Sequence, residues 1–267
     1  MWLVFLLVGV IMYLLYRLRD KKHLGYKCFL LTIPSSTIRR EKFLAHHDPG
    51  VPLEIINGVD TKKVENAKKY QNIIDPGYFK EALRLHYGKS KLRTDVTHFN
   101  MGAIGCYMGH MEFYRRCFEQ GLKYAVIFED NVVVEDNEMY EQIQSVIDVM
   151  GDDFEMCFFH CLTRYPDKEK VKGLEKVKWI SSTKCYLVHV ENMQKYYKYF
   201  FPIDNHVDMK HEDIIARGAR VFYKDLRDFM YINRSQSSTI GHSNHHRPKY
   251  FSKQYPSVTT DVLEYGY

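Results

Sequence analysis

Residues 100–131, NMGAIGCYMGHMEFYRRCFEQGLKYAVIFEDN, decide how this chain folds. Asn100 is a good N-cap, and Ile104, Tyr107, Met108, Met111, Tyr114 and Phe118 recur at the three- and four-residue spacing of one helix face. Gly121 supplies the stop. Directly after it, YAVIF at 124–128 is a short apolar run of strand length that ends in Glu129, Asp130 and Asn131. A helix delivering the chain into a buried strand is the repeating step of an α/β sheet, and the carboxyl end of such a strand is where open sheets bind ligands. The plain alternative is a solvated, charged strand end.

The same alternation extends on both sides. Residues 27–33 (KCFLLTI) are expected as a buried strand stopped by Pro34, 37–47 as a helix, and 53–57 as a second strand closed by Gly58. Residues 61–97 are polar and weakly periodic, so they are expected as an insertion with short helices. Downstream, helices are expected near 137–150, 192–199 and 210–217, with strands at 154–160 and 185–189. The pattern predicts an α/β layered domain with a largely parallel sheet over residues 23–240, followed by a polar tail at 241–267 rich in Ser and His at its start.

At 267 residues, 45% apolar and 27% charged, the chain suits one catalytic-size globular domain rather than two. Its 21 Tyr, 16 Phe and 2 Trp are many for the length, as sugar-handling clefts and ordinary cores both require. A net charge of only +5, spread along the chain, argues against nucleic acid as a partner. Six scattered cysteines do not make a disulfide scaffold. Cys157, His160 and Cys161 suggest a zinc site, but within one strand the two cysteines would share a face and His160 would take the other, so buried thiols are expected.

Residues 2–16 (WLVFLLVGVIMYLLY) are unbroken apolar and are followed by Arg17, Arg19, Lys21 and Lys22. With no charge before the run and no small-residue cleavage pattern after it, residues 1–22 are expected as an uncleaved single-pass membrane anchor with a basic flank. The positive-inside rule would place the domain on the cytoplasmic side, whereas the sequon at Asn233-Arg234-Ser235 would fit a lumenal one.

The segment from Gly102 to Asn131, with Gly102, Ile104, Gly105, Cys106, His110, Glu129 and Asp130, closely resembles the central block of family 25 glycosyltransferases, the group that includes lipooligosaccharide and collagen galactosyltransferases. Arg39-Arg40-Glu41-Lys42-Phe43 and Asn57-Gly58-Val59-Asp60 look like that family's donor-binding start, and Cys185 to Val188 and Pro202 to Asp208 are looser matches to its second half. The resemblance covers about residues 27–240. It implies a GT-A type (Rossmann-like) fold and transfer of a hexose, galactose or glucose, from a UDP-sugar to a hydroxyl acceptor on a glycan, lipid or protein, with inversion.

Such a reaction needs a cation for the leaving diphosphate, a base for the acceptor and a cleft that orients both. The resemblance places Arg39, Arg40, Gly105, His110, Glu129 and Asp130 at the donor, and Mn2+ or Mg2+ on Asp130 and Asn131, with His245, among His242, His245 and His246, closing the shell. Asp208 or Asp213 is expected as the base, although both equally suit a helix N-terminus. Two positions depart from the family pattern. Asn131 stands where the family has Asp, which predicts weaker cation binding, and Thr32-Ile33-Pro34 replaces Ile-Asn-Leu at the presumed uridine. The Asn131 departure motivates an alternative, a catalytically silent nucleotide-sugar-binding membrane protein.

Overall fold

A computed structural model describes residues 24–87 and 99–233 of the chain. The first part runs β1 (Lys27–Thr32), α1 (Thr37–His46), β2 (Leu53–Asn57), α2 (Val64–Lys68), a 3-10 turn at Gln71–Ile73 and α3 (Pro76–His86). The second runs α4 (Met101–Glu119), β3 (Tyr124–Glu129), β4 (Val132–Val134), α5 (Glu138–Met150), β5 (Met156–Phe158), β6 (Thr163–Val171), β7 (Leu174–Ser181) and β8 (Cys185–His189). It closes with α6 (Val190–Gln194), a 3-10 segment at Tyr197–Phe200, α7 (Val207–Ala216), β9 (Val221–Tyr223) and β10 (Met230–Ile232).

Local chemistry sets the ends of the long helix. The Asn100 side chain accepts from the Ala103 amide at 3.0 Å, satisfying one of the free N–H groups of α4's first turn. At its other end Gly121 takes φ +59°, a left-handed conformation that glycine adopts without strain. α3 starts in the same way, with Asp75 accepting from Gly77 and Tyr78 and Pro76 at its first position.

Eight strands form one sheet in the order β2-β1-β3-β8-β5-β9-β7-β6, and β4 pairs with β10 in a separate antiparallel ribbon. The sheet is mixed rather than largely parallel. β2, β1 and β3 run parallel, as do β5 and β9, but β8 is antiparallel to both of its neighbours and β6 and β7 form an antiparallel hairpin. That hairpin escapes a reading for apolar runs because its strands, TRYPDKEKV and LEKVKWIS, carry charge. Its tight turn is Lys172-Gly173, both with positive φ, the twist that two-residue hairpins favour.

Side chains alternate across the sheet and divide the core in two. Phe29 and Leu31 of β1, Ala125 and Ile127 of β3, and Tyr186 and Val188 of β8 pack with α4. Cys28 and Leu30, Val126 and Phe128, and Cys185 and Leu187 pack on the other side with Phe43 of α1 and with α5.

Several expectations change. The strand expected over 154–160 is only Met156–Phe158, so Cys157 and Cys161 fall into opposite core layers instead of sharing a face. Both are buried free thiols. The helix expected at 192–199 divides into α6 and the 3-10 segment, and α7 starts at Val207, which puts Asp208 in its first turn. Asn233 is only 7% exposed, so the folded domain does not present it as a glycosylation acceptor. Among the described residues no helix is long and apolar enough to cross a membrane, and the apolar run at 2–16 lies outside them. So do residues 88–98 of the insertion and the tail with His242, His245 and His246.

Candidate active site

The carboxyl ends of β1, β2 and β3 open into a shallow cleft lined by Leu31 to Ile33, Gly58 to Lys62, Gly102, Gly105, Cys106, Glu129 and Asp130. Its floor depends on a close approach. A Cβ added to Gly105 would lie 2.5 Å from the Val59 carbonyl oxygen and 2.6 Å from Thr61 Oγ1, so only glycine lets α4 come this near to the loop after β2. Thr61 fastens the contact by donating its hydroxyl to the Met101 carbonyl.

Strand alternation sends the two neighbouring carboxylates to opposite sides. Glu129 continues the Ala125 and Ile127 side and meets α4, where His110 Nε2 lies 3.8 Å from Oε1. The Thr183 hydroxyl donates to Oε1 at 2.6 Å and the Lys184 ammonium sits 2.5 Å from Oε2. Burial would raise this carboxyl, but the Lys184 ammonium beside it outweighs burial and holds Glu129 well below the usual carboxylate range. Asp130 turns towards α1. Its Oδ2 accepts from Thr32 Oγ1 at 2.8 Å, and its Oδ1 lies 3.5 Å from Arg39 Nη1. Its amide donates to the Leu31 carbonyl, which locks the turn to β1. A buried carboxylate facing a cleft and braced by a guanidinium is arranged to bind a charged ligand or to meet developing charge.

The sequence profile described as glycosyltransferase family 25 (LPS biosynthesis protein) matches residues 26–211, which spans the whole of this cleft. The chain belongs to glycosyltransferase family 25. It is thus a glycosyltransferase. No curated protein shows a significant sequence match. Among solved structures, A197 from STIV is 8% identical, with 81% of this chain and 98% of that chain covered and a TM-score of 0.41. A glycosyltransferase involved in the glycosylation of the major capsid of PBCV-1 is 13% identical over 80% of this chain and 94% of that one, at a TM-score of 0.38. The apo structure of the bifunctional glycosyltransferase WbbM is 9% identical over 76% of this chain and 39% of that one, at 0.36.

The family 25 cleft brings together Gly105, Glu129 and Asp130 along its lining, with Arg39 and His110 directly behind the two carboxylates. Arg40 follows Arg39 on α1 but is half-buried and does not line the cleft. Asn131 does not line it either. Its amide oxygen is buried without a hydrogen-bond partner, and its carbonyl accepts from the Asn233 amide at 2.7 Å. Asp208 is half-buried in the first turn of α7; burial first, then the charges of Glu129 and Asp208, push up the Cys106 thiol. Asp213 is exposed and paired with Lys210 at 3.4 Å. His245 lies outside the described residues.

This placement bears on the cation. Of the oxygen ligands expected for Mn2+ or Mg2+, Asp130 alone faces the cleft among the described residues, and its oxygens already meet Thr32 and Arg39. The described residues therefore do not assemble the hard, oxygen-only shell that such ions prefer. Thr183 and Lys184 escaped the sequence reading. They reach Glu129 because β8 runs antiparallel to β3 with Phe128 opposite Cys185, a pairing that no local pattern announces. Thr32, one of the two departures from the family pattern, proves to be the hydroxyl that orients Asp130.

Proposed function

We propose that this glycosyltransferase has a GT-A type fold, binds a UDP-linked hexose, galactose or glucose, in the cleft, and passes the sugar to a hydroxyl of a glycan, lipid or protein acceptor with inversion. The observation that carries the reading is the braced Asp130 at the carboxyl end of three parallel strands, the position where open sheets take nucleotides. Exposed Lys62 on the cleft rim and Arg39 behind Asp130 are the cations available to the donor diphosphate. Asp208 is the base of choice, because Asp213 is exposed and held by Lys210. In one displacement the acceptor oxygen bonds to the anomeric carbon, the bond to the diphosphate breaks, UDP leaves with the electron pair, and Asp208 takes the hydroxyl proton. The apolar run at 2–16 would hold the domain at a membrane, a reading that rests on sequence alone.

Incubating the purified protein with a panel of UDP- and GDP-sugars, with and without Mn2+, and analysing products by mass spectrometry tests this. UDP-hexose turnover is expected, and Asp130→Asn should reduce it by roughly a hundredfold or more. Turnover of GDP-sugars alone would overturn the donor assignment. No turnover and no nucleotide binding would overturn the whole reading.

A further inference from the structure

Cys106, His110 and Glu129 converge beneath the cleft. His110 follows Cys106 by one helical turn on α4, so the two share a helix face, and β3 delivers Glu129 to that face. Their ligand atoms all lie within 4.8 Å of one another, with His110 Nε2 3.8 Å from Glu129 Oε1. His110 is completely buried, and its Nε2 has no hydrogen-bond partner. The other ring nitrogen, Nδ1, is 2.8 Å from the Tyr186 hydroxyl, and the two rings stack with centroids 5.7 Å apart. An imidazole whose Nδ1–H donates to Tyr186 aims its Nε2 lone pair into the cluster, as metal-binding histidines are oriented by the partner of their other ring nitrogen.

We propose that Cys106 Sγ, His110 Nε2 and Glu129 Oε1 form a binding site for a borderline-soft divalent ion, with Zn2+ as its natural occupant. A tetrahedral zinc with bonds of about 2.0–2.3 Å needs ligand atoms roughly 3.3–3.6 Å apart, so the His–Glu pair at 3.8 Å has to close by a few tenths of an ångström and the thiol by no more than about 1.5 Å. A thiolate with an imidazole selects against Mg2+ and Mn2+, which prefer oxygen. Thr183 occupies one lone pair of Oε1 and leaves another, and Lys184 stays on Oε2. Before binding, the thiol, the carboxylate and the Lys184 ammonium sum to zero. With the ion in place and the thiol proton released to solvent, the sum is +1. Cys106 and Glu129 line the cleft and His110 lies behind them, so the fourth position opens to the cleft. An anionic fourth ligand, hydroxide or a phosphate oxygen, neutralises the site. This site stands apart from Asp130, which faces α1, and its test needs no sugar donor.

The experiment is titration of the full chain, first freed of metal with chelator, with Co2+ followed by visible spectroscopy. One Co2+ per chain is expected, with tetrahedral d–d bands and a thiolate-to-cobalt charge-transfer band that Zn2+ abolishes and excess Mg2+ does not. Cys106→Ser should lose the charge-transfer band and weaken Zn2+ binding at least tenfold, while Cys161→Ser, in the α4-side core, should retain both. In wild-type protein, Zn2+ should also protect Cys106 from alkylation, read by peptide mass spectrometry, which keeps the test decisive if the serine variant fails to fold. A folded wild-type protein with no tetrahedral cobalt spectrum, a band that survives Cys106→Ser, or alkylation of Cys106 at the same rate with and without Zn2+ would each overturn the proposal.

Discussion

Gly105→Ala should destabilise the protein and loosen the cleft, although alanine is the better helix former. In a helix interior the exchange gains about 0.5–1 kcal/mol. Here the new methyl would sit 2.5 Å from a backbone oxygen, Val59 O, and 2.6 Å from Thr61 Oγ1. The carbonyl cannot rotate away, and Thr61 is β-branched and bonded to Met101, so relief has to come from shifting α4 off the loop that lines the cleft. Overpacking of this kind costs about 1–3 kcal/mol, and against a fixed backbone oxygen the upper part of that range, about 2–3, applies, which leaves a net loss of about 1–2.5 kcal/mol. Gly109→Ala is the matched control one turn on. Its methyl would meet Leu31 Cδ1 at 2.6 Å and Cδ2 at 2.9 Å, the far end of a side chain that can change rotamer, so overpacking and propensity should nearly cancel. Urea unfolding of the three proteins gives the stabilities, and thermal midpoints should separate by roughly 2–4 °C per kcal/mol for a domain of this size. UDP affinity, measured by calorimetry, should fall further in Gly105→Ala than in Gly109→Ala, where only the Leu31 side chain of the lining moves. A Gly105→Ala protein as stable as wild type, or a Gly109→Ala protein that loses more, would refute this account of why the glycine is there.

Other perturbations follow from the same geometry. Burial, with the nearby His110 adding to it, lowers the pKa of His211 to about 3, so below pH 6.5 the unfolded chain takes up a proton that the folded one refuses. Its contribution to stability is complete above pH 6.5 and is lost as pH falls towards 3; by pH 5 the loss should be about 2 kcal/mol, seen as a lower urea midpoint that His211→Gln flattens. Arg39→Met leaves Asp130 without its guanidinium, and a loss of about 2–3 kcal/mol together with weaker UDP binding is expected from unfolding and calorimetry. Asn131→Asp places a carboxylate where the amide oxygen is now buried without a partner; it should cost about 1–3 kcal/mol and leave the Mn2+ requirement of transfer unchanged in a metal titration. Asp208→Asn should lower kcat with little change in KM, whereas Asp213→Asn should alter neither.

Much of the parallel half was legible because its signals are local. Periodicity and a cap locate α4, apolar runs locate β1, β2 and β8, and the acidic strand end with the Gly102 to Asp130 block marks the cleft. What stayed hidden depends on pairing between distant segments. The β6–β7 hairpin is too charged to look like a strand pair, and β8 reverses direction between β3 and β5 for reasons carried by the whole sheet. The fate of the acidic triplet was equally invisible. Glu129, Asp130 and Asn131 are consecutive and look like one ligand set, yet alternation and the turn send them to α4, to α1 and away from the cleft.

The β4–β10 ribbon sets an order of events during synthesis. Asn131, beside the acidic pair, is tied at its carbonyl to Asn233, and Val132 to Val134 pair with Met230 to Ile232, about a hundred residues later in the chain. At roughly 5–20 residues per second, the ribosome reaches that closing segment about 5–20 s after making the acidic turn. During this interval β1 and β3 can pair, α4 can dock and β4 can lie against α1, but β4 still lacks the strand it pairs with. A nascent chain stalled before Met230 should therefore carry the sheet edge of the enzyme without a finished mouth, and competence to bind a donor should arrive late and abruptly as the last strand emerges.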